Sequence, residues 1–321
     1  MLSLKKVRNL ALLLAGTAIL PACETTVEVP IPEHTPKLAV RCTIGNEKLD
    51  SSLYAYFPTF RPFVSFSQSI LSTQEMDGLN NASVVITDAN GKVVETFTND
   101  AETNHYFGNG YYKPVTEFTP QAGQRYTLTV SAPGYEPVTS TLTLPNEISG
   151  IQGSFTKTGD EYYSVNGRVT LTIPDKGNEN NYYLIYGVLL DEQKKISERN
   201  YFDEEEDDSG IGTDINDIHF SDVRYNDFYG FRPFDDKSFN GTTVTISRKV
   251  NCYGTDSFQP KYLRLIVSSI TEDNYKFLKS LQLYNDSNGN PFAEPVRVKG
   301  NIQNGYGCFG GFTNTYFDIP L

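Results

Sequence analysis

Tryptophan is absent from this chain, methionine occurs twice and histidine three times. So few histidines narrow the chemistry. His34 lies in a Pro-rich lead segment, neither His105 nor His219 stands in a catalytic context with Ser or Cys, and no G-x-S-x-G occurs. No catalytic residue is therefore assigned and the chain is not expected to be an enzyme. Lysine and arginine total 27 against 39 acids, too few cations to neutralise a phosphate backbone, so no nucleic acid is expected as a partner. The apolar run Leu10–Leu20 covers only about half of the roughly 20 residues that a membrane-spanning helix requires. No repeat at a solenoid period is present, which excludes stacked-repeat architectures.

What is present begins at the N-terminus. Lys5, Lys6 and Arg8 precede that short apolar run, and small residues then lead to a cysteine in "LPAC", Leu20–Cys23. A basic head and a short apolar core mark a secretory signal over residues 1–22, and "LPAC" resembles the bacterial lipobox. Cys23 is the expected lipidation site, and more than one acyl chain there would hold the protein stably on a membrane surface. The full chain carries a net charge of -12, and residues 1–22 hold three bases and no acid, so the remainder carries -15. Residues 23–36, rich in Pro, Thr and Glu, read as an extended tether.

Tyrosine (21), phenylalanine (20) and glycine (25) are abundant, a balance that suits an all-β protein. "KLAVRCTIG", "PFVSFSQS", "ASVVITD", "KVVETFTN", "RYTLTVSAP" and "VTSTLTLP" predict strands of one β-sandwich over residues 37–146, immunoglobulin/transthyretin-like, with a hairpin turn at "DANG". A second β domain, residues 147–321, follows in tandem with "YYSVNGRVTLTIPD", "NYYLIYGVLL", "TTVTISRKV" and "KYLRLIVSSI", then "EPVRVKG" and "TYFDI". Its one helix is "TEDNYKFLKSLQLYN", where Thr271 caps, Glu272 and Asp273 favour the first turn, and Tyr275, Leu278 and Leu281 form a core stripe.

A long connection, residues 192–238, interrupts this domain, and a loop of that length in a compact domain is functional or disordered. Between Asp203 and Asp236 it holds twelve acids against Arg224 and Arg232, with Asp203 to Asp208 consecutive. Hard cations take about six to eight oxygens and would draw in Asp214, Asp217, Asp222 and Asp227, but spacing alone defines no such site. A solvated acidic loop is the reading, with no metal and no cofactor. Its rings, Tyr225, Phe228, Tyr229, Phe231 and Phe234 among them, are expected with Asp203 and Asp208 to contact a ligand or partner. The competing reading folds the rings into the core. "FRPF" at Phe231–Phe234 repeats "FRPF" at Phe60–Phe63.

Two glycine-rich or acidic motifs fail on context. "DSNGN" at Asp286–Asn290 lacks the Gly and the bidentate Glu of a calcium loop, having Pro291 and Arg297 at those positions. "GYGCFG" fits G-x-G-x-x-G at Gly305, Gly307 and Gly310, yet no helix follows it as a dinucleotide site demands; glycine here permits positive φ in a tight loop. Cys42, Cys252 and Cys308 allow three single disulfides, of which Cys252 with Cys308 is preferred, or three buried thiols.

The run "NPFAEPVRVKGNIQNGYGCFGGF", residues 290–312, resembles the signature of the domain of unknown function 4249 family of Bacteroidota outer-membrane lipoproteins. Its "A-x-V-x-I-x-D-x-x-G" hairpin, "Y-x-F/Y-L-x-S" helix and "G-N-I-x-N-G-x-G-x-F-G" ending have counterparts in order at Ala82–Gly91, Tyr275–Ser280 and Gly300–Gly310. Cys308 stands where the family more often has a ring, so a disulfide there would be local. The resemblance implies an outer-membrane lipid anchor through acylated Cys23, on the cell surface or the periplasmic face, and a TonB-dependent β-barrel transporter as partner. It carries no catalytic residues. The expected function is a ligand-capture or gating accessory of that transporter; a structural or adhesive surface protein and a surface hydrolase are the alternatives.

Overall fold

Leu38, Val40, Cys42 and Ile44 alternate with Ala39, Arg41 and Thr43, and this period of two makes Leu38–Gly45 a strand (β1) with one face fully buried. The computed structural model describes residues 33–47, 61–69, 72–73, 76–161, 163–196, 201–204, 218–221, 230–256, 258–287, 294 and 296–321. The signal segment, most of the tether with Cys23, and Asp208, Tyr225, Phe228 and Tyr229 lie outside the described residues.

After β1 come Phe63–Phe66 (β2), Ser83–Asp88 (β3), Val93–Asn99 (β4), a short helix Ala101–Phe107 (α1), Tyr112–Pro114 (β5), Arg125–Ser131 (β6) and Val138–Thr143 (β7). Gln152–Glu161 (β8), Ser164–Pro174 (β9), Tyr182–Leu190 (β10), Tyr201–Glu204 (β11), Phe234–Asp235 (β12), Thr243–Tyr253 (β13) and Tyr262–Ile270 (β14) follow, then the predicted helix, Glu272–Ser287 (α2), and Tyr306–Pro320 (β15). The all-β expectation holds, with α1 an element that the sequence reading did not mark.

Three sheets form: a six-stranded sheet in the order β12-β10-β14-β15-β1-β2, a four-stranded sheet β11-β13-β9-β8 and a five-stranded sheet β5-β4-β3-β6-β7. The six-stranded sheet is the middle layer. Along β10, Leu184, Tyr186, Val188 and Leu190 join one core with the five-stranded sheet and α2, whereas Tyr183, Ile185 and Leu189 join a second core with the four-stranded sheet. β14 divides in the same way, Ile266 and Ile270 to one side and Leu263, Leu265 and Val267 to the other. A strand covered on both faces must be apolar at nearly every position, which is why "YYLIYGVLL" does not alternate.

This arrangement corrects the expected boundary at residue 146. β1 pairs in parallel with β15, from Ala39↔Tyr306 to Gly45↔Phe312, and β2 pairs with β1, so the opening strands assigned to a first sandwich complete the sheet of the C-terminal half. Residues 37–146 do not close on themselves as an immunoglobulin/transthyretin-like unit; the layer opposite their five-stranded sheet is the central sheet. The two "FRPF" runs lead into β2 and β12, the two edges of that one sheet, where Pro62 and Pro233, lacking an N–H, cost no ladder bond.

The preferred disulfide is also corrected. Cys42, Cys252 and Cys308 are free and buried. Cys252 lies in the core beneath the four-stranded sheet and Cys308 in the core on the other face of the middle layer, so the central sheet separates them. Burial pushes the Cys42 and Cys252 thiols up to about 12, as expected where a thiolate would be desolvated.

Candidate functional site

The acidic stretch is rooted on β11, which pairs with β13 from Tyr201↔Tyr253 to Glu204↔Val250. The described chain stops at Glu204 and resumes at Ile218, and one carboxylate ties the two ends together. Glu204 Oε1 lies 2.9 Å from Arg248 Nε and 3.0 Å from His219 Nδ1, and Oε2 accepts the Phe220 N–H at 2.8 Å. Arg248 also donates to the Ile218 carbonyl at 2.8 Å. Phe202, Ile218 and Phe220 turn inward beneath this network, with the Phe202 and Phe220 rings 5.6 Å apart. Glu204 and Ile218, the described positions on either side of residues 205–217, are therefore held close by this network; residues 205–217 hold six acids and no Lys or Arg.

The aromatic stretch is rooted beside it. The Ser221 N–H donates to the Ile185 carbonyl of β10 at 2.6 Å, and its hydroxyl accepts the Arg232 N–H at 2.8 Å, so Ser221 and Arg232, on either side of residues 222–229, are held together. Both roots border a depression of about 500 Å³ floored by Phe202 and Phe220 and rimmed by Asp203, Glu204, His219, Ser221 and Arg232.

Of the predicted contact residues, Asp203 is half-buried on β11 at this rim. Phe231 and Phe234 are not contacts: they are 3% and 8% exposed and belong to the two cores, Phe231 on the α2 side and Phe234 packed at a tilt near Tyr183 and Phe239 on the other. The inward reading thus holds for these rings. Their physical cause is position: Phe231 flanks and Phe234 begins the edge strand β12, where an apolar side chain covers the end of a core. Glu204, His219 and Arg248 were missed as a unit because they come from separate parts of the sequence.

A second cleft, of about 570 Å³, opens where the end of β7, the β9–β10 turn and the start of α2 meet. The Tyr182 hydroxyl donates to Glu272 Oε1 at 3.1 Å and that of Tyr183 donates to Asp175. Burial, then the adjacent carboxylate, pushes Tyr182 up to about 12 and Tyr183 further, so both remain protonated donors. Among the described residues no group of three metal-ligating side chains forms, and no helix is long and apolar enough to cross a membrane.

The pinning network yields a prediction. Glu204→Gln keeps the shape but weakens three contacts to a charge, and hydrogen bonds to charged groups are worth roughly 1.5–3 kcal/mol. Proteolytic cleavage within 205–217 is expected to accelerate about tenfold, since local opening controls such cleavage; unchanged cleavage would show that Glu204 does not hold the loop ends.

The family model described as Domain of unknown function (DUF4249) matches residues 24–317. No curated protein matches the chain. Among solved structures, it is similar to the crystal structure of Salmonella alpha-2-macroglobulin reacted with methylamine, at 10% identity and a TM-score of 0.23, over 76% of this chain and 14% of that one. A likeness of that size supports no argument about fold or activity.

Proposed function

The chain belongs to the DUF4249 family over residues 24–317, and from that premise we propose that it is a lipid-anchored outer-membrane protein serving as a ligand-capture or gating accessory of a TonB-dependent transporter. The observation that carries this reading is the pair of adjacent loop roots. A scaffold buried on both faces of its middle sheet holds the ends of an acidic and an aromatic segment side by side, which is how loops on a rigid frame make a contact surface. The acids steer a basic partner surface and Tyr225, Phe228 and Tyr229 supply apolar anchors. Function is by binding and not by turnover.

The experiment is co-purification. Native membranes are extracted in mild detergent and the protein is recovered through a C-terminal tag; a stoichiometric β-barrel transporter is the expected companion. Neutralising Glu205 to Asp208, or replacing Tyr225, Phe228 and Tyr229 with alanine, is expected to reduce recovery of that companion at least about tenfold, the loss of one strong anchor of about 1.4 kcal/mol or more. Recovery of the protein alone, under conditions that keep other outer-membrane complexes intact, would replace this reading with that of a free-standing adhesive protein.

A further inference from the structure

β1 enters the middle sheet beside one edge strand, and the chain that follows the aromatic stretch joins it as the other. β2 and β12 are the two edges of the six-stranded sheet, separated by five strand intervals of about 4.8 Å, or roughly 24 Å. Lys37, the last residue before β1, is fixed to the β2 side: its N–H donates to Ser67 Oγ at 3.0 Å and its carbonyl accepts the Ser67 N–H at 2.8 Å. The root of the aromatic stretch leads into β12.

The β2 edge carries an exposed apolar group with no role in either core. Backbone bridges Phe63↔Tyr111 and Ser65↔Gly78 lay two segments along β2, and the Asn109 side-chain amide clamps them together by donating to Asp77 Oδ2 at 2.9 Å. From these segments project Met76, Tyr106 and Phe107, which are 68%, 73% and 50% exposed. The helix α1, which carries Tyr106 and Phe107, is anchored at its start. Asp100 caps α1 by accepting the Thr103 N–H at 3.2 Å and is itself ion-paired to Arg61. The Phe107 ring stands 6.4 Å from Tyr111, whose ring packs 5.0 Å from Phe63. Fixed, exposed Tyr and Phe side chains beside a lipid attachment suit the headgroup level of a bilayer, where amphipathic and apolar rings partition.

We infer that Met76, Tyr106 and Phe107 form the face that rests on the bilayer interface; this rests on the lipid-anchored reading above. The length of the chain before β1, and the side on which it enters, select lipid as the occupant. The thirteen residues 24–36 preceding Lys37 reach at most about 45 Å when extended, so the chain enters β1 within reach of the bilayer that holds Cys23.

The absence of tryptophan makes the test direct. Tyr106→Trp and, as a control on α2 near Phe231, Tyr284→Trp are made singly in the full chain, and the processed protein is reconstituted in phosphatidylethanolamine vesicles containing a minor fraction of phosphatidylglycerol. Trp at 106 is expected to shift to shorter emission wavelength and to be quenched by brominated lipid, and Trp at 284 to do neither. Adding Met76→Ser and Phe107→Ser to Tyr106→Trp should abolish the quenching. Mass analysis of the N-terminal peptide separates the two ideas: an unacylated Cys23 overturns the anchored reading, whereas an acylated chain whose Trp at 106 is quenched no more than Trp at 284 overturns the orientation alone. A wavelength shift without lipid quenching, accompanied by doubled mass in solution, would make this face a contact between copies and also overturn it.

Discussion

Replacing Gly307 with alanine is expected to cost about 2–6 kcal/mol, from roughly 1–3 kcal/mol of backbone strain and a similar amount of overpacking. Gly307 has φ +102° at the start of β15, and a Cβ there would overlap the Val40 carbonyl of β1. Neither the backbone nor a flexible side chain can move aside, because the contact is in the parallel β1–β15 ladder, Val40↔Gly307. The rest of the signature secures the same seam. The Asn301 N–H donates to the Gly307 carbonyl at 3.2 Å, its side chain accepts the Phe309 N–H at 2.8 Å and donates to the Phe309 carbonyl at 2.9 Å and to Asp273 at 3.1 Å. Domains are stable by only about 5–15 kcal/mol in total. Equilibrium denaturation is the measurement; a midpoint within error of the unsubstituted protein would show that the seam accommodates a methyl group and that this account of the motif is wrong.

Expressed alone, residues 37–146 are expected not to fold. Val84, Ile86, Leu128, Val130, Val138 and Leu142 on the inner face of the five-stranded sheet share a core with Leu184, Tyr186, Ile266, Phe309 and Phe312, all from beyond residue 146. Exposing those six side chains forfeits about 1.5–3 kcal/mol each, or roughly 9–18 kcal/mol, as much as a whole domain's net stability. Residues 33–321 should instead unfold in one transition. A well-dispersed amide spectrum from the isolated 37–146 segment would restore the two-sandwich view.

Much of the local structure was legible. The period of two in "LAVRCTIG", the turn residues of "DANG" and the acidic first turn of α2 act between neighbours in the chain, and each element formed where those signals lie. The candidate site was legible only as an acidic and aromatic stretch. Its anchoring by Glu204, Arg248 and His219 was not, because the partners meet through pairing of β11 with β13, and a lone acid, base or imidazole carries no mark of its partner.

By itself, then, the sequence determined an all-β chain, many of its strands and the main helix, an acidic stretch beside an aromatic one, and the family to which it belongs; it did not mark β5, β8, β11 or β12, and the strand expected at "EPVRVKG" does not form among its described residues. The tertiary structure alone decided that β1 joins β15 across the whole length of the chain, that Cys252 and Cys308 face different cores, and that Phe231 and Phe234 point inward. The physical reason is range. Backbone propensity and periodicity are properties of adjacent residues, whereas strand partnership and ring burial minimise exposed apolar surface over all the layers at once, and the same phenylalanine satisfies either a core or a contact face until its neighbours are in place.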